Sequence, residues 1–361
     1  MKEGKSLVEL AQELQRQAQA KRDFIADTKR VRLQQSPVTD EGTQKAAQLT
    51  IELPQGDETF DVTEHSHNQI AQRLDIPKKY YDRVRVDHPE LYERTVNTFL
   101  HKESELRMVR TLDNHARAFL SNRYRTLDNA ELAEAVLPVL GELRATVESC
   151  EVTQSHLYIQ ASLLHIETEV TPGDVVRSGI IISNSEIGAG SVQIQALIFR
   201  LVCSNGLILP DKSIKKNHVG RAHSATDEPF ELFSEQTLQL SDAAFWHKVQ
   251  DVTRATGNAA QFAANVSKLR DAKEDKIEVR PTEAVEVAQR KFSLTNSESG
   301  HVLEHLIRDR DYSRYGLLNA ITRTAEDVKD YDRSIELEAL GGQVLELSRR
   351  DWREIAIEGI G

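Results

Sequence analysis

Cysteine is nearly absent, with only Cys150 and Cys203 in 361 residues. Two thiols build no disulfide framework, and a reducing cytoplasm is the expected compartment. No apolar run approaches the roughly 20 residues that a membrane helix needs. The most apolar stretch, 192–203, is broken by Gln and Arg, so no membrane partner is expected. The opening MKEGKSLVELAQELQ holds no apolar segment of signal-peptide type, and export is not expected. Positive charge is in deficit: 46 Lys and Arg stand against 57 Asp and Glu, a net charge of −11. A wholesale nucleic-acid coat is normally basic, so any such contact has to come from local patches. Internal repeats and low-complexity tracts are missing. So are G-x-S-x-G, Walker A, H-E-x-x-H and the kinase signatures. No cofactor is implied. Cys203, His218 and His223 lack the close ligand pairs of a zinc site, and His65 and His67 lie two apart, off a shared helix face.

The remaining composition, 39% hydrophobic and 29% charged, supplies a real core and excludes a disordered chain. The length suggests roughly two domains. Residues 1–36 read as a polar helical arm, with Leu7, Leu10, Ala11 and Leu14 at helical spacing and a stripe that then fades. Residues 37–224 read as an α+β core domain. Its helices begin at Ser66–Gln69, a capping-box spacing, and at Pro77 and Pro89. From about 145 to 209 the period changes to two, with four strands joined by short loops, which favours antiparallel pairing. Residues 225–361 read as a helical region packing on the core, including one long helix over 242–269 and a capping box at Thr295 and Glu298. The fold class is therefore α+β: an antiparallel sheet flanked by helices, a helical C-terminal third and an N-terminal helical arm.

Three segments invite a chemical reading. Residues 66–86 have helix-turn-helix spacing with a basic second helix, although a packed helical hairpin has the same spacing. Residues 107–125 hold Arg107, Arg110, Arg117, Arg123 and Arg125 against Asp113, with Phe119 and Tyr124 among them. Arginine suits bidentate phosphate contact and aromatic faces stack on unpaired bases; the alternative is a strand end whose arginines pair with carboxylates. Residues 200–223 carry Arg200, Lys212, Lys215, Lys216 and Arg221 against Asp211, an electrostatic exception able to hold a polyphosphate backbone; the alternative is an exposed loop. The Gly188-Ala189-Gly190 run precedes a strand, not a helix, so it reads as a tight hairpin that uses positive φ rather than a dinucleotide loop.

The blocks FLSNRYRTLDN (119–129), SGIIISNSEIG (178–188), FRLVCSNGL (199–207), NHVGRAH (217–223) and NAITRTAEDVKDYDRSIELEALGG (319–342) are similar to the phage/plasmid-like family known as domain of unknown function 932. The likeness runs from about residue 60 to 350. It implies a gene carried by phages, plasmids or integrated elements, and it transfers no catalytic residue. Proteins of such elements often act on DNA or against host defences. The expectation is a non-enzymatic protein that binds nucleic acid, with single-stranded DNA favoured, and assists recombination or annealing. Arg117, Arg123, Arg200, Lys215, Lys216 and Arg221 are the candidate phosphate contacts, Tyr124 is the candidate stacking residue, and a homo-oligomer is compatible with the N-terminal helix. The alternative is an acidic interaction protein that inhibits a host defence factor. A third reading is a metal-dependent nuclease with carboxylates scattered in sequence.

Overall fold

A computed structural model describes residues 2–35, 46–202, 205–210 and 235–358, with backbone alone at 235–241. The expected helix over 1–36 stops early. Helix α1 covers Leu7–Ala20, closed at its start by a Ser6–Glu9 capping box, and strands β1 (Arg22–Asp27) and β2 (Val31–Gln34) follow it. Phe24, Ile25 and Val31 suit a pleated surface better than a helix, and the weak helical stripe is lost where these residues begin. Nor is α1 a free tail: Leu10 and Leu14 are buried.

Strands β3 (Gln48–Ile51) and β4 (Glu58–Val62) lead into helices α2 (Glu64–Arg73), α3 (Lys78–Asp87) and α4 (Pro89–Leu100). Strands β5 (Leu106–Leu112) and β6 (His115–Ser121) then complete a six-stranded sheet of order β1-β5-β6-β4-β3-β2. This sheet is mixed, because β4 and β6 run parallel. Leu33, Leu49, Ile51, Ile70, Tyr81, Tyr92 and Val109 form its core with α2 to α4. Within it the Tyr81 hydroxyl bridges His67 Nδ1 (2.8 Å) and the Tyr92 hydroxyl (2.8 Å). Residues 66–86 are thus a packed hairpin, with Lys78 bound to Asp82 and Arg85 to Glu64 on its surface.

Helix α5 (Asn129–Glu142) separates this unit from a second sheet, β7 (Thr146–Val152), β8 (Leu157–Glu169), β9 (Val175–Asn184), β10 (Gln193–Arg200) and β11 (Asn205–Ile208). Its neighbours are all antiparallel, in chain order, as the period of two implies. Both faces are covered. Ile159, Ile180, Ile182 and Ile194 meet α1, α5 and helix α6 (Glu235–Thr256), and Tyr158, Ile181 and Phe199 meet Tyr331 on the other face. That double burial explains why Leu157 to Leu163 is one continuous buried run.

The C-terminal third is helical: α7 (Ala259–Glu274), α8 (Pro281–Phe292), α9 (Asn296–Asp309), α10 (Arg314–Asp327), α11 (Tyr331–Leu345) and α12 (Arg349–Arg353). The expected single helix over 242–269 is two, because Asn258 stops one and caps the next, its side chain accepting from the Ala260 N–H at 2.8 Å. Among the described residues no helix is long and apolar enough to cross a membrane.

Candidate nucleic-acid interface

The candidate residues separate into three groups. Arg117 lies on β6, and Arg123 and Tyr124 lie in the turn that closes it, where the Tyr124 N–H donates to the Ser121 carbonyl at 2.9 Å. Arg200 ends β10. Lys215, Lys216 and Arg221 lie outside the described residues, as do Cys203, His218 and His223.

Arg117 and Tyr124 meet the loop that follows β9. Asn184, Ser185 and Glu186 are at most 4% exposed, so the polar tip faces the protein and not solvent. The Glu186 carboxylate binds Arg117 through Oε2 and accepts the Asn129 N–H through Oε1 at 2.8 Å, at the start of α5, where the helix dipole favours an anion. The Glu186 carbonyl accepts from Arg110 Nη1 at 2.9 Å. Arg110 is fully buried; its Nε donates to Asp23 Oδ1 at 2.9 Å and its Nη2 to Asp128 Oδ1 at 2.8 Å. Lys21 pairs with Asp128 and lies 3.8 Å from Glu186. Lys21, Arg110 and Arg117 thus face Asp23, Asp128 and Glu186, a balanced set. Burial alone would raise the Asp128 carboxyl, but Arg110 and Lys21 outweigh it and hold the group below its ordinary value.

The loop is shaped by its glycine and by α2. Gly188 has φ +77°, and a Cβ there would lie 2.9 Å from Leu120. Gln69 Nε2 donates to the Ile187 carbonyl at 2.7 Å, while its Oε1 accepts the Phe119 N–H at 2.7 Å. Gln69 therefore does not complete the expected capping box with Ser66; Thr63 caps α2, accepting from the Ser66 N–H. The Tyr124 hydroxyl donates to the Ser185 carbonyl at 3.3 Å, and burial pushes this phenol above its ordinary value. Phe119 is a core residue. Arg123 differs from these neighbours: it is exposed, and its guanidinium pairs with no carboxylate among the described residues. Arg125 binds Asp242 and lies 5.0 Å over the Phe245 ring, both on α6.

Arg200 stands elsewhere. Its Nε and Nη2 hold both oxygens of Asp174, at 2.7 and 3.1 Å, and its guanidinium lies 5.6 Å from the Tyr315 ring. The Tyr315 hydroxyl donates to the same Asp174 at 2.8 Å. Asp174 precedes β9 and Glu186 follows it. Ten residues of strand separate the two, roughly 30 Å, so Arg117 and Arg200 are bound at opposite ends of β9 and share no groove. The partners of Arg200 come from residues 141 positions apart in sequence (Asp174 and Tyr315), which no local pattern signals. Among the described residues, no three or more His, Cys, Asp or Glu come together as ligands for a metal ion.

A family model described as Domain of unknown function (DUF932) matches residues 116–346, 231 of the 361 residues. The match starts inside β6, later than the expected 60. Lys21, Asp23 and Arg110 lie before it, and Arg117, Asp128 and Glu186 lie within it, so the charge cluster joins the two parts. No curated protein and no solved structure matches the chain.

Proposed function

The chain belongs to the DUF932 family, whose description carries no reaction, and we propose that it binds nucleic acid, single-stranded DNA in preference, and assists recombination or annealing of phage or plasmid DNA. The observation that carries this reading is the concentration of Lys212, Lys215, Lys216 and Arg221 in a chain whose net charge is −11. Arg123 supports it. That side chain is exposed and unpaired among the described residues, and Arg125, two residues on, is bound to α6, which begins 14 residues after Arg221. In this reading Arg117 and Tyr124 are positioning residues that hold the 184–188 loop, and Arg200 serves a different site.

The test is anisotropy of a labelled single-stranded oligonucleotide against the full chain at several salt concentrations. Binding should weaken as salt rises. The triple variant Lys215→Gln, Lys216→Gln, Arg221→Gln should lower the slope of log K against log salt by about 2, at about 0.7 for each phosphate no longer neutralised. Absent or salt-insensitive binding removes the proposal. One observation favours the second reading, an acidic protein that occupies a basic host partner. Arg110, Arg117 and Arg200 all bind the protein's own carboxylates, which leaves its acidic excess uncompensated. A chain that binds no oligonucleotide, yet displaces DNA from a basic DNA-binding protein in a salt-dependent way, would establish it.

A further inference from the structure

A cavity of about 360 Å³ lies where Arg200 of β10, Lys273 of α7 and the α9–α10 turn converge, about 30 Å along β9 from Arg117. We propose that it binds a small phosphorylated, hydroxyl-bearing ligand of mononucleotide size. This goes beyond the nucleic-acid reading and does not depend on residues 212–221.

The lining supplies both kinds of partner that such a ligand needs. Arg200 is held rigid by Asp174 and by the Tyr315 ring. Lys273 Nζ lies 5.6 Å from the same ring, donates to Thr171 Oγ1 at 3.1 Å and stands 4.0 Å from Asp311, a loose ion pair that leaves donor capacity open. Arg310 is exposed and has no hydrogen bond or ion pair among the described residues. Its backbone is left-handed, φ +53°, at the end of α9, which turns the chain toward α10. The same lining holds Asp309, bound at 3.3 Å to Arg323, and Asp311, which accepts from the Ser313 hydroxyl at 2.6 Å.

Three cations against two carboxylates leave one positive charge in the lining, and counting Asp174 behind Arg200 and Arg323 behind Asp309 does not change that. Arg310 and Lys273 suit a phosphate oxygen. The two aspartates disfavour a bare polyanion and instead accept from hydroxyl groups. The volume falls within the range of small-molecule sites, about 300–1,000 Å³, and exceeds what a lone ion needs. The turn itself depends on Gly316, since a Cβ there would meet the Asp311 carbonyl at 1.7 Å. A free mononucleotide and the phosphorylated end of a nucleic-acid strand present the same chemistry.

The experiment is isothermal titration of the full chain with AMP and with adenosine, and anisotropy with 5′-phosphorylated and 5′-hydroxyl oligonucleotides. AMP should bind saturably and adenosine at least tenfold more weakly. Arg310→Gly, which removes the guanidinium and suits the left-handed backbone, should weaken AMP about tenfold, as should Lys273→Gln. Arg123→Gln should leave AMP binding unchanged. A 5′-phosphate gain that disappears in Arg310→Gly identifies the strand end as the ligand's source, and AMP binding without that gain identifies the free nucleotide. AMP that does not bind, or binds the two variants as it binds the parent, overturns the proposal. Loss of oligonucleotide binding with AMP binding intact removes only the nucleic-acid reading.

Discussion

Glu186 and Glu338 are both buried, at 4% and 0% exposure, yet they sit in opposite electrostatic surroundings. Glu186 is met by Arg117, by the Asn129 N–H and, more distantly, by Lys21. The hydrogen-bonding groups around Glu338, on α11 beneath β11, are neutral among the described residues: the Gln160 amide and the Gly206 backbone. Gln160 Nε2 donates to the Glu338 Oε2 at 2.8 Å. Burial pushes the Glu338 carboxyl up to about 7. Desolvation disfavours the charged form of a carboxyl. Burial by itself therefore does not decide the charge of a carboxylate; the countercharge brought to it does.

The comparison can be broken at its charged member first. Arg110→Met removes a fully buried guanidinium with its three hydrogen bonds, to exposed Asp23, half-buried Asp128 and the Glu186 carbonyl, and should lower stability by about 3–5 kcal/mol in urea denaturation. A variant within about 1 kcal/mol of the parent, on the same scale of effects, would show that the cluster does not hold the two sheets together.

The next largest effect separates the two regions by pH. Glu338 has its folded pKa raised from 4.5 to about 7, so its contribution is fully present below pH 4.5 and is lost as pH rises to about 7. The loss should be about 3 kcal/mol, and Glu338→Gln should abolish it. Asp128 has its folded pKa lowered from 3.8, so its contribution is present above that value and is lost as pH falls through the folded pKa. The urea midpoint recorded from acid to neutral pH reads both slopes; a parent and a Glu338→Gln variant with the same profile would contradict the assignment.

Smaller effects sharpen the loop that carries Glu186. Gly188→Ala forces a side chain onto φ +77° and against Leu120, and should cost about 1–3 kcal/mol by thermal or chemical unfolding. Arg123→Gln, by contrast, should leave stability within about 0.5 kcal/mol and lower the salt slope of oligonucleotide binding by about 0.7. Any larger loss of stability would mean that Arg123 belongs to the folded charge cluster after all.

Local signals carried much of the architecture. The period of two over 145–209 became an antiparallel sheet, Pro89 opened α4, and the Thr295–Glu298 capping box formed as its spacing implied. Each of those features is decided within a few neighbouring residues. The Ser66–Gln69 spacing failed for the opposite reason: Gln69 is claimed by Ile187 and Phe119, both distant in the chain. The short strands β1 and β2 were hidden because they become strands only against β5 and β3.

Helix starts, the alternation of the second sheet and the concentration of cations in 107–125 and 200–223 are all written in the order of the residues. Which of those cations stay free was decided only in three dimensions. Charge is a property of a residue, but neutralisation is a property of a pair, and the partners of Arg110, Arg117 and Arg200 arrive from Asp23, Asp128, Glu186 and Asp174, each at least 18 residues away along the chain.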